Sequence, residues 1–128
     1  DMRYFIVLAV LGLAACVEEP IDGRTAYMEN CASCHGADGT GGGAAARNLA
    51  VAPPDLTTIA ARNGGAFPTN QVMSTIDGLD RGAHFNVAMP EFGAGDLGET
   101  VIVENDGLGT PVPMKLLVLT EYLQSIQQ

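Results

Sequence analysis

The sequence predicts an all-α fold in a single folded domain. Apolar residues recur at helical spacing through residues 69–79 and again through residues 113–126. Asp22 offers an N-cap to a further helix from Gly23 to Cys34. Glycine and proline are frequent between these segments, which is typical of the loops that join helices. A chain of 128 residues has the length of one domain.

The N-terminal residues predict export and anchoring. Arg3 supplies a positive charge, residues 4–13 are apolar, and the segment leads into Leu13-Ala14-Ala15-Cys16. This pattern resembles a bacterial lipobox, whose cysteine becomes the lipidated first residue of the mature protein. The apolar run is shorter than the ~18 residues of a membrane span, although an uncleaved anchor and an ordinary signal peptide stay open as alternatives. The expected division is a lipoprotein signal peptide at 1–15, a lipidated tether at 16–22 with lipid on Cys16, and the folded domain at 23–128.

The pentapeptide Cys31-Ala32-Ser33-Cys34-His35 matches CxxCH, the pattern of covalent haem attachment. Residues three and four apart share one helix face, so both cysteines can reach the haem vinyl groups while His35 ligates the iron. A zinc site would need a second ligand pair, and a redox CxxC would sit in a βαβ unit. A disulfide between the two cysteines is the remaining alternative. We therefore predict one covalent haem c on Cys31 and Cys34, with His35 as iron ligand.

Two loops after His35 are expected to border this cofactor. The glycine-rich stretch 36–43 lets the backbone approach the edge of a flat group. It is not predicted to bind a nucleotide, because no strand precedes it and no Gly-Lys-Ser/Thr follows. Proline supplies a carbonyl without a competing N–H, so the carbonyl of Pro53 or Pro54 is the expected acceptor for the second ring nitrogen of His35. Leu56 is expected to pack on the porphyrin.

Two further helices are predicted in the middle of the chain. Asp55 is expected to cap a short helix from Leu56 to Arg62, which Gly64 ends. Thr69 is expected to cap a third helix that ends near Gly78. The apolar stripe of this third helix comprises Val72, Met73, Ile76 and Leu79.

The loop 84–93 is expected to carry the second iron ligand. Met89 is the preferred candidate because Pro90 stiffens its loop. The other methionines considered fall on helices whose register serves packing, namely Met28, Met73 and Met114. A histidine and a thioether together give a low-spin iron with a raised potential. His84 is the alternative ligand.

The last part of the chain predicts a hairpin and a helix. Residues 99–104 have strand propensity, and Asn105-Asp106-Gly107 is a turn signal, so a small β-hairpin is predicted near 99–112, with an irregular loop as the alternative. Pro113 can occupy the first turn of the terminal helix. That helix is expected to cross the first one near Gly23 and Tyr27. Its apolar stripe comprises Leu116, Leu119, Leu123 and Ile126, widened by Leu117 and Tyr122.

The formal net charge is −9 at pH 7. Removing residues 1–15 leaves it unchanged, because that segment holds one aspartate and one arginine. An acidic protein is repelled by nucleic acid and by anionic lipid surfaces. The charge favours redox protein partners with a basic docking face, and solubility alone is the alternative explanation.

From residue 23 to residue 128 the sequence resembles class I single-haem cytochromes c. The resemblance is carried by Gly23 and Tyr27 ahead of CASCHG, then by PPDLT, MPEFG and the terminal EYLQSI. It implies the cytochrome c fold, three to five helices around one covalent haem, with the attachment cysteines and axial ligands identified above. The stretch 95–113 departs from the family, which usually runs promptly into its terminal helix. We therefore regard this stretch as a candidate docking element.

The resemblance implies an electron carrier and not an enzyme. The carrier is expected to move one electron between redox proteins on the periplasmic side of a bacterial membrane, anchored through the lipid on Cys16. No small-molecule substrate and no nucleic acid is expected as a partner. A fixed haem subunit of a dehydrogenase, oxidase or photosynthetic reaction centre is the alternative. A sensor or peroxidase with an open iron position is a third hypothesis, and the single CxxCH argues against a two-haem peroxidase.

Overall fold

Five α-helices and one two-stranded sheet make up the computed structural model, which describes residues 19–82 and 88–128. The predicted signal peptide at 1–15, Cys16 and His84 lie outside the described residues. No helix in the described part of the chain is long and apolar enough to cross a bilayer. The elements are α1 (Gly23–Asn30), α2 (Ala32–His35), α3 (Ile59–Arg62), α4 (Thr69–Asp77), β1 (Thr100–Asn105), β2 (Leu108–Pro113) and α5 (Met114–Ser125).

The crossing of α1 and α5 organises the fold, and the prediction for it is confirmed. A Cβ atom on Gly23 would overlap the carbonyl oxygen of Val118, so glycine allows the two backbones to approach. Tyr27 is fully buried, and its ring centroid lies 5.3 Å from that of Tyr122. Its hydroxyl donates a hydrogen bond to the Gly36 carbonyl oxygen at 2.6 Å. The crossing therefore also holds the end of α2.

The buried core is drawn mainly from α1, α4 and α5. Burial of apolar surface is the main driving force for their packing. A rim of half-buried apolar side chains borders the core, including Leu56, Phe67 and Met89. The buried apolar residues in the described segments are Ala26, Tyr27, Val72, Ile76, Leu97, Val112, Leu116, Leu119 and Leu123.

The predicted first helix is present but divided. Asp22 caps it as predicted, since its carboxylate accepts a hydrogen bond from the Thr25 N–H at 2.8 Å. The helix is interrupted at Cys31, whose φ of −122° separates α1 from α2. The Cys31 N–H still donates to the Tyr27 carbonyl at 2.8 Å, and the Cys31 carbonyl accepts from the His35 N–H at 2.9 Å. The sequence pattern gives no sign of this break, because helical backbone hydrogen bonds are made both before and after Cys31.

The predicted third helix differs from α4 at both ends. Thr69 is the first helical residue and not the cap, and Pro68 precedes it without a side-chain cap. Leu79 was predicted in the apolar stripe, but 81% of its surface is exposed. The reason is that α4 ends at Asp77, where Gly78 with φ +103° turns the chain away from the helix axis. The predicted end near Gly78 is therefore confirmed.

The predicted β-hairpin is confirmed. β1 pairs with β2 in antiparallel register from Thr100 opposite Pro113 to Asn105 opposite Leu108. Asp106 and Gly107 both have positive φ, 51° and 78°, which is the backbone of a tight hairpin turn that matches strand twist. Val112 on β2 is buried, so one face of the hairpin packs on the core.

The terminal helix is also confirmed, with one change at its start. Pro113 lies immediately before α5, whereas the sequence predicts it inside the first turn. The reason is that Pro113 still belongs to β2, paired opposite Thr100. Its ψ of 131° is that of an extended chain. Leu116, Leu119 and Leu123 are buried as predicted.

Candidate functional site

Cys31, Cys34 and His35 lie together on one turn at the junction of α1 and α2. The Cys31 carbonyl oxygen accepts hydrogen bonds from the Cys34 N–H at 3.2 Å and from the His35 N–H at 2.9 Å. Cys31 and Cys34 form no disulfide, and the side chains of Cys31, Cys34 and His35 are half-buried. A turn of this kind places residues three and four apart on one face. The structure therefore assembles the three predicted haem-binding residues locally.

The imidazole of His35 faces a proline carbonyl. Its Nδ1 atom lies 3.4 Å from the Pro54 carbonyl oxygen, at the long end of the hydrogen-bond range. Of the two predicted acceptors, Pro54 is thus the one beside the ring, whereas the Pro53 carbonyl lies near Gly41. Burial lowers the pKa of His35, and the Pro54 carbonyl partly opposes this shift. The lowered pKa favours the neutral ring, which binds a metal through Nε2 when Nδ1 holds the proton.

The backbone around Pro54 is held by short hydrogen bonds. Asp55 accepts from the backbone N–H of Thr57 at 2.8 Å and from its hydroxyl at 2.6 Å, which confirms the predicted cap. These bonds hold the pKa of Asp55 below its usual range. The Leu56 N–H donates to the Gly39 carbonyl at 2.7 Å. The capped helix begins as a short 3-10 turn, Leu56–Thr58, before α3.

The glycine-rich loop folds back onto α2. The Gly41 N–H donates to the His35 carbonyl at 2.7 Å, and the Gly43 N–H donates to the Cys34 carbonyl at 3.0 Å. A Cβ atom on Gly43 would overlap the Ser33 carbonyl oxygen, so a side chain there would push the loop off the helix. The expected approach of this loop to a flat cofactor stays a prediction.

The Cys31 thiol does not have the lowered pKa of a redox-active cysteine. Burial raises the pKa of Cys31 to about 11, and the neighbouring Cys34 adds to this shift. Reactive cysteines instead have lowered pKa values, because the thiolate is the nucleophile. Within residues 19–82 and 88–128, no group of three or more histidine, cysteine, aspartate or glutamate side chains is arranged to hold a metal ion. The raised pKa of Cys31 disfavours the thioredoxin-like interpretation.

The predicted site residues Cys31, Leu56 and Met89 all pack against the same buried core. Each is half-buried. A covalent haem requires apolar surroundings that keep water from its metal, and these half-buried side chains beside the core supply apolar surface. The residues present therefore fit this group. Among the other methionines, Met73 packs on the core from within α4 as predicted. The packing role predicted for Met28 is wrong, because that side chain is 40% exposed.

One residue of this region was missed by sequence reasoning. The guanidinium of Arg81 donates to the Met89 carbonyl at 2.7 Å and to the Pro90 carbonyl at 2.6 Å. Its Nε donates to the Thr75 carbonyl at 3.0 Å. The only signal in the sequence is an arginine shortly after the glycine that ends a helix. A basic side chain in this position can donate hydrogen bonds to the last carbonyl groups of the helix.

Comparison with known proteins gives one match. A model of the family described as Cytochrome c matches residues 21–99. The matched segment covers more than half of the chain and includes the CxxCH turn and Met89. It ends one residue before β1. No curated protein and no solved structure gives a significant match.

Proposed function

Because the chain belongs to the cytochrome c family, and so carries covalently bound haem c, we propose that it is a class I electron carrier in lipoprotein form. The family consists in general of electron-transfer proteins and not enzymes. The observation that carries the proposal is the turn that unites Cys31, Cys34 and His35, with Met89 on the same core. The carrier is proposed to work on the periplasmic side of a bacterial membrane.

The proposed mechanism assigns a role to each site residue. Cys31 and Cys34 would hold the haem through thioether bonds, and His35 Nε2 and the Met89 sulfur would be the two protein ligands of its iron. When bound, the haem supplies a one-electron Fe(III)/Fe(II) couple. The Pro54 carbonyl orients the ring of His35 through Nδ1. The apolar rim would limit the access of water to the haem site.

The proposed lipid anchor is supported by the residue pattern at the N-terminus. A positive residue, a short apolar run and Leu13-Ala14-Ala15-Cys16 are typical of a processed lipoprotein. Residues 19–22 are exposed, as a tether between lipid and domain requires. The intact mass of the mature protein tests the anchor. A protein that begins elsewhere than at a lipidated Cys16 contradicts it.

The axial ligation is tested by substituting Met89. The oxidised wild-type protein is expected to show the weak long-wavelength absorption band that arises from methionine sulfur bound to ferric iron. Met89→Ala is expected to lose this band completely, because alanine offers no ligand atom. Met73→Leu is the matched control, since Met73 is also a half-buried methionine on the same core and should leave the band intact.

The possible outcomes separate the candidate ligands. A band that survives in Met89→Ala and disappears in Met73→Leu would assign the ligand to Met73. A wild-type spectrum without the band would overturn methionine ligation. In that case His84→Ala, with its effect on the spectrum, decides whether His84 is the ligand.

The hairpin supports a proposal about partners. Ile102 is 65% exposed and Leu108 is 71% exposed, and between residues 99 and 113 the charged residues are all acidic. Exposed apolar groups among charges of one sign are typical of a docking surface for a partner of opposite charge. We therefore propose that the hairpin docks a redox protein through a basic face. The same surface also supports the second candidate function, a fixed haem subunit of a larger membrane complex.

The salt dependence of electron transfer tests this docking surface. With a strongly basic c-type cytochrome as surrogate acceptor, the second-order rate is expected to fall as salt is added, since ions screen the attraction. Glu104→Gln on the hairpin should reduce the salt dependence more than Glu121→Gln on α5, although each removes one exposed charge. Rates that do not respond to salt would contradict a basic partner. Equal effects of the two variants would contradict docking at the hairpin.

A further inference from the structure

Arg81 joins two segments that are separate in the chain. Its guanidinium donates hydrogen bonds to the carbonyl oxygens of Met89 and Pro90 at 2.7 and 2.6 Å. On its other side it donates to the carbonyl oxygen of Thr75 at 3.0 Å, and a longer contact of 3.5 Å reaches that of Ile76. One side chain therefore connects the last turns of α4 to the backbone of Met89.

The end of α4 explains why a cation is favourable there. The last four carbonyl groups of a helix have no partner within the helix, and they form the negative end of its dipole. Thr75 and Ile76 belong to this last turn. A guanidinium presents five N–H donors in a rigid plane, so it can bond carbonyls on two sides at once. Lysine lacks this geometry.

A second set of contacts shows that Glu91 and Gly93, which follow Met89 in the chain, pack closely against the end of α4. A Cβ atom on Gly93 would overlap the Asp77 carboxylate. A Cβ atom on Gly78 would lie 2.8 Å from Cγ of Glu91. Residues 91–93 therefore lie against the end of the helix. Arg81 links Met89, which precedes them in the chain, to the same helix end by hydrogen bonds.

We propose that Arg81 is a positioning residue for Met89, holding its backbone so that the thioether stays bound to the haem iron. This inference rests on the proposed histidine–methionine ligation. A thioether is a neutral ligand, so its retention depends strongly on how firmly the protein holds it in place. Hydrogen bonds from a charged donor are stronger than neutral ones, particularly when they are partly buried, as the bond from Arg81 to the Met89 carbonyl is. Loss of the guanidinium frees the Met89 backbone and makes displacement of its sulfur easier.

Competition with imidazole measures this displacement. Imidazole binds ferric haem only when the methionine leaves, so its Kd reports how firmly Met89 is held. We expect Arg81→Gln to lower the imidazole Kd by about tenfold or more, which is the scale of one or two lost charge-assisted hydrogen bonds. Arg81→Lys should give an intermediate Kd, because an ammonium group replaces only part of the planar fork.

A matched control separates positioning from general stability. Val72 is a buried residue of α4, and Val72→Ala removes core packing without changing a hydrogen bond of the Met89 loop. This variant is expected to unfold at lower temperature but to keep the wild-type imidazole Kd. If Val72→Ala tightens imidazole binding as much as Arg81→Gln does, the effect is general loosening of α4 and the positioning role is overturned.

The remaining outcomes distinguish the positioning role of Arg81 from the ligation of the iron by Met89. A wild-type methionine band together with an unchanged Kd in Arg81→Gln overturns the role of Arg81 and leaves Met89 ligation intact. Absence of the band in the wild-type protein overturns the ligation itself, before any arginine variant is measured. If Arg81→Gln does not fold, the same comparison with Arg81→Lys decides, and a wild-type Kd there overturns the inference.

Discussion

Replacing both Cys31 and Cys34 with serine is expected to abolish covalent haem attachment. The haem of this family is bound through cysteine sulfur, and a hydroxyl does not form the thioether. After denaturing electrophoresis, the wild-type band should stain for haem and the double variant should not. We also expect a low yield of the variant, because the apolar rim around the site would be left more exposed to water.

Ser33→Ala is the matched control for this experiment. Ser33 lies between the two cysteines but is exposed, and alanine is a good helix former. The control should therefore retain full haem staining. Haem that stays covalently attached in the double serine variant would mean that the attachment site lies elsewhere in the chain.

Tyr27→Ala is expected to reduce the free energy of unfolding by about 3–5 kcal/mol, the usual cost of deleting a buried aromatic ring. Tyr27 is fully buried, packs on Tyr122 and bonds the Gly36 carbonyl, so its removal loosens the crossing of α1 and α5. Tyr27→Phe keeps the ring and loses only the hydroxyl, which should cost about 1 kcal/mol. Denaturant unfolding of the haem-containing protein at neutral pH measures both. Similar losses in the two variants would contradict a packing role for the ring.

The wild-type protein and Tyr27→Phe are also expected to differ in how their stability depends on pH. Burial raises the pKa of Tyr27 from 10.0 to about 12, with a smaller contribution from the neighbouring Tyr122. In the unfolded chain the hydroxyl ionises first, so the folded state binds more protons between these two values. Stability is therefore expected to fall as the pH rises from about 10 to about 12. Tyr27→Phe should lack this part of the decline, and parallel curves for the two proteins would contradict it.

Most helices and the site turn could be predicted because their signals are local. Asp22 and Asp55 cap helices by bonding residues two or three positions away, and the structure shows both bonds. Asp106 and Gly107 favour positive φ, which selects the hairpin turn. Such contacts depend only on neighbouring residues. Local signals failed at Thr69 and at Leu79, where the true ends of α4 decide which residues lie in the helix.

The choice between Pro53 and Pro54 as the partner of His35 needed the folded chain. Both prolines offer a carbonyl, and the sequence contains no feature that ranks them. The bond from Leu56 to Gly39 and the cap at Asp55 hold the loop so that Pro54 faces the imidazole. Two carbonyls one residue apart point in different directions once the backbone is held, so the outcome depends on contacts with the glycine-rich loop.

The haem-attachment motif, the two helix caps and the hairpin turn follow from the sequence, because each depends on residues within four positions of one another. The contacts of Arg81 depend on how the chain folds. Its donors meet the carbonyls of Met89 and Pro90, which lie eight and nine positions further along the chain. Hydrogen bonds to main-chain carbonyls leave no pattern in the sequence, since every residue carries the same acceptor.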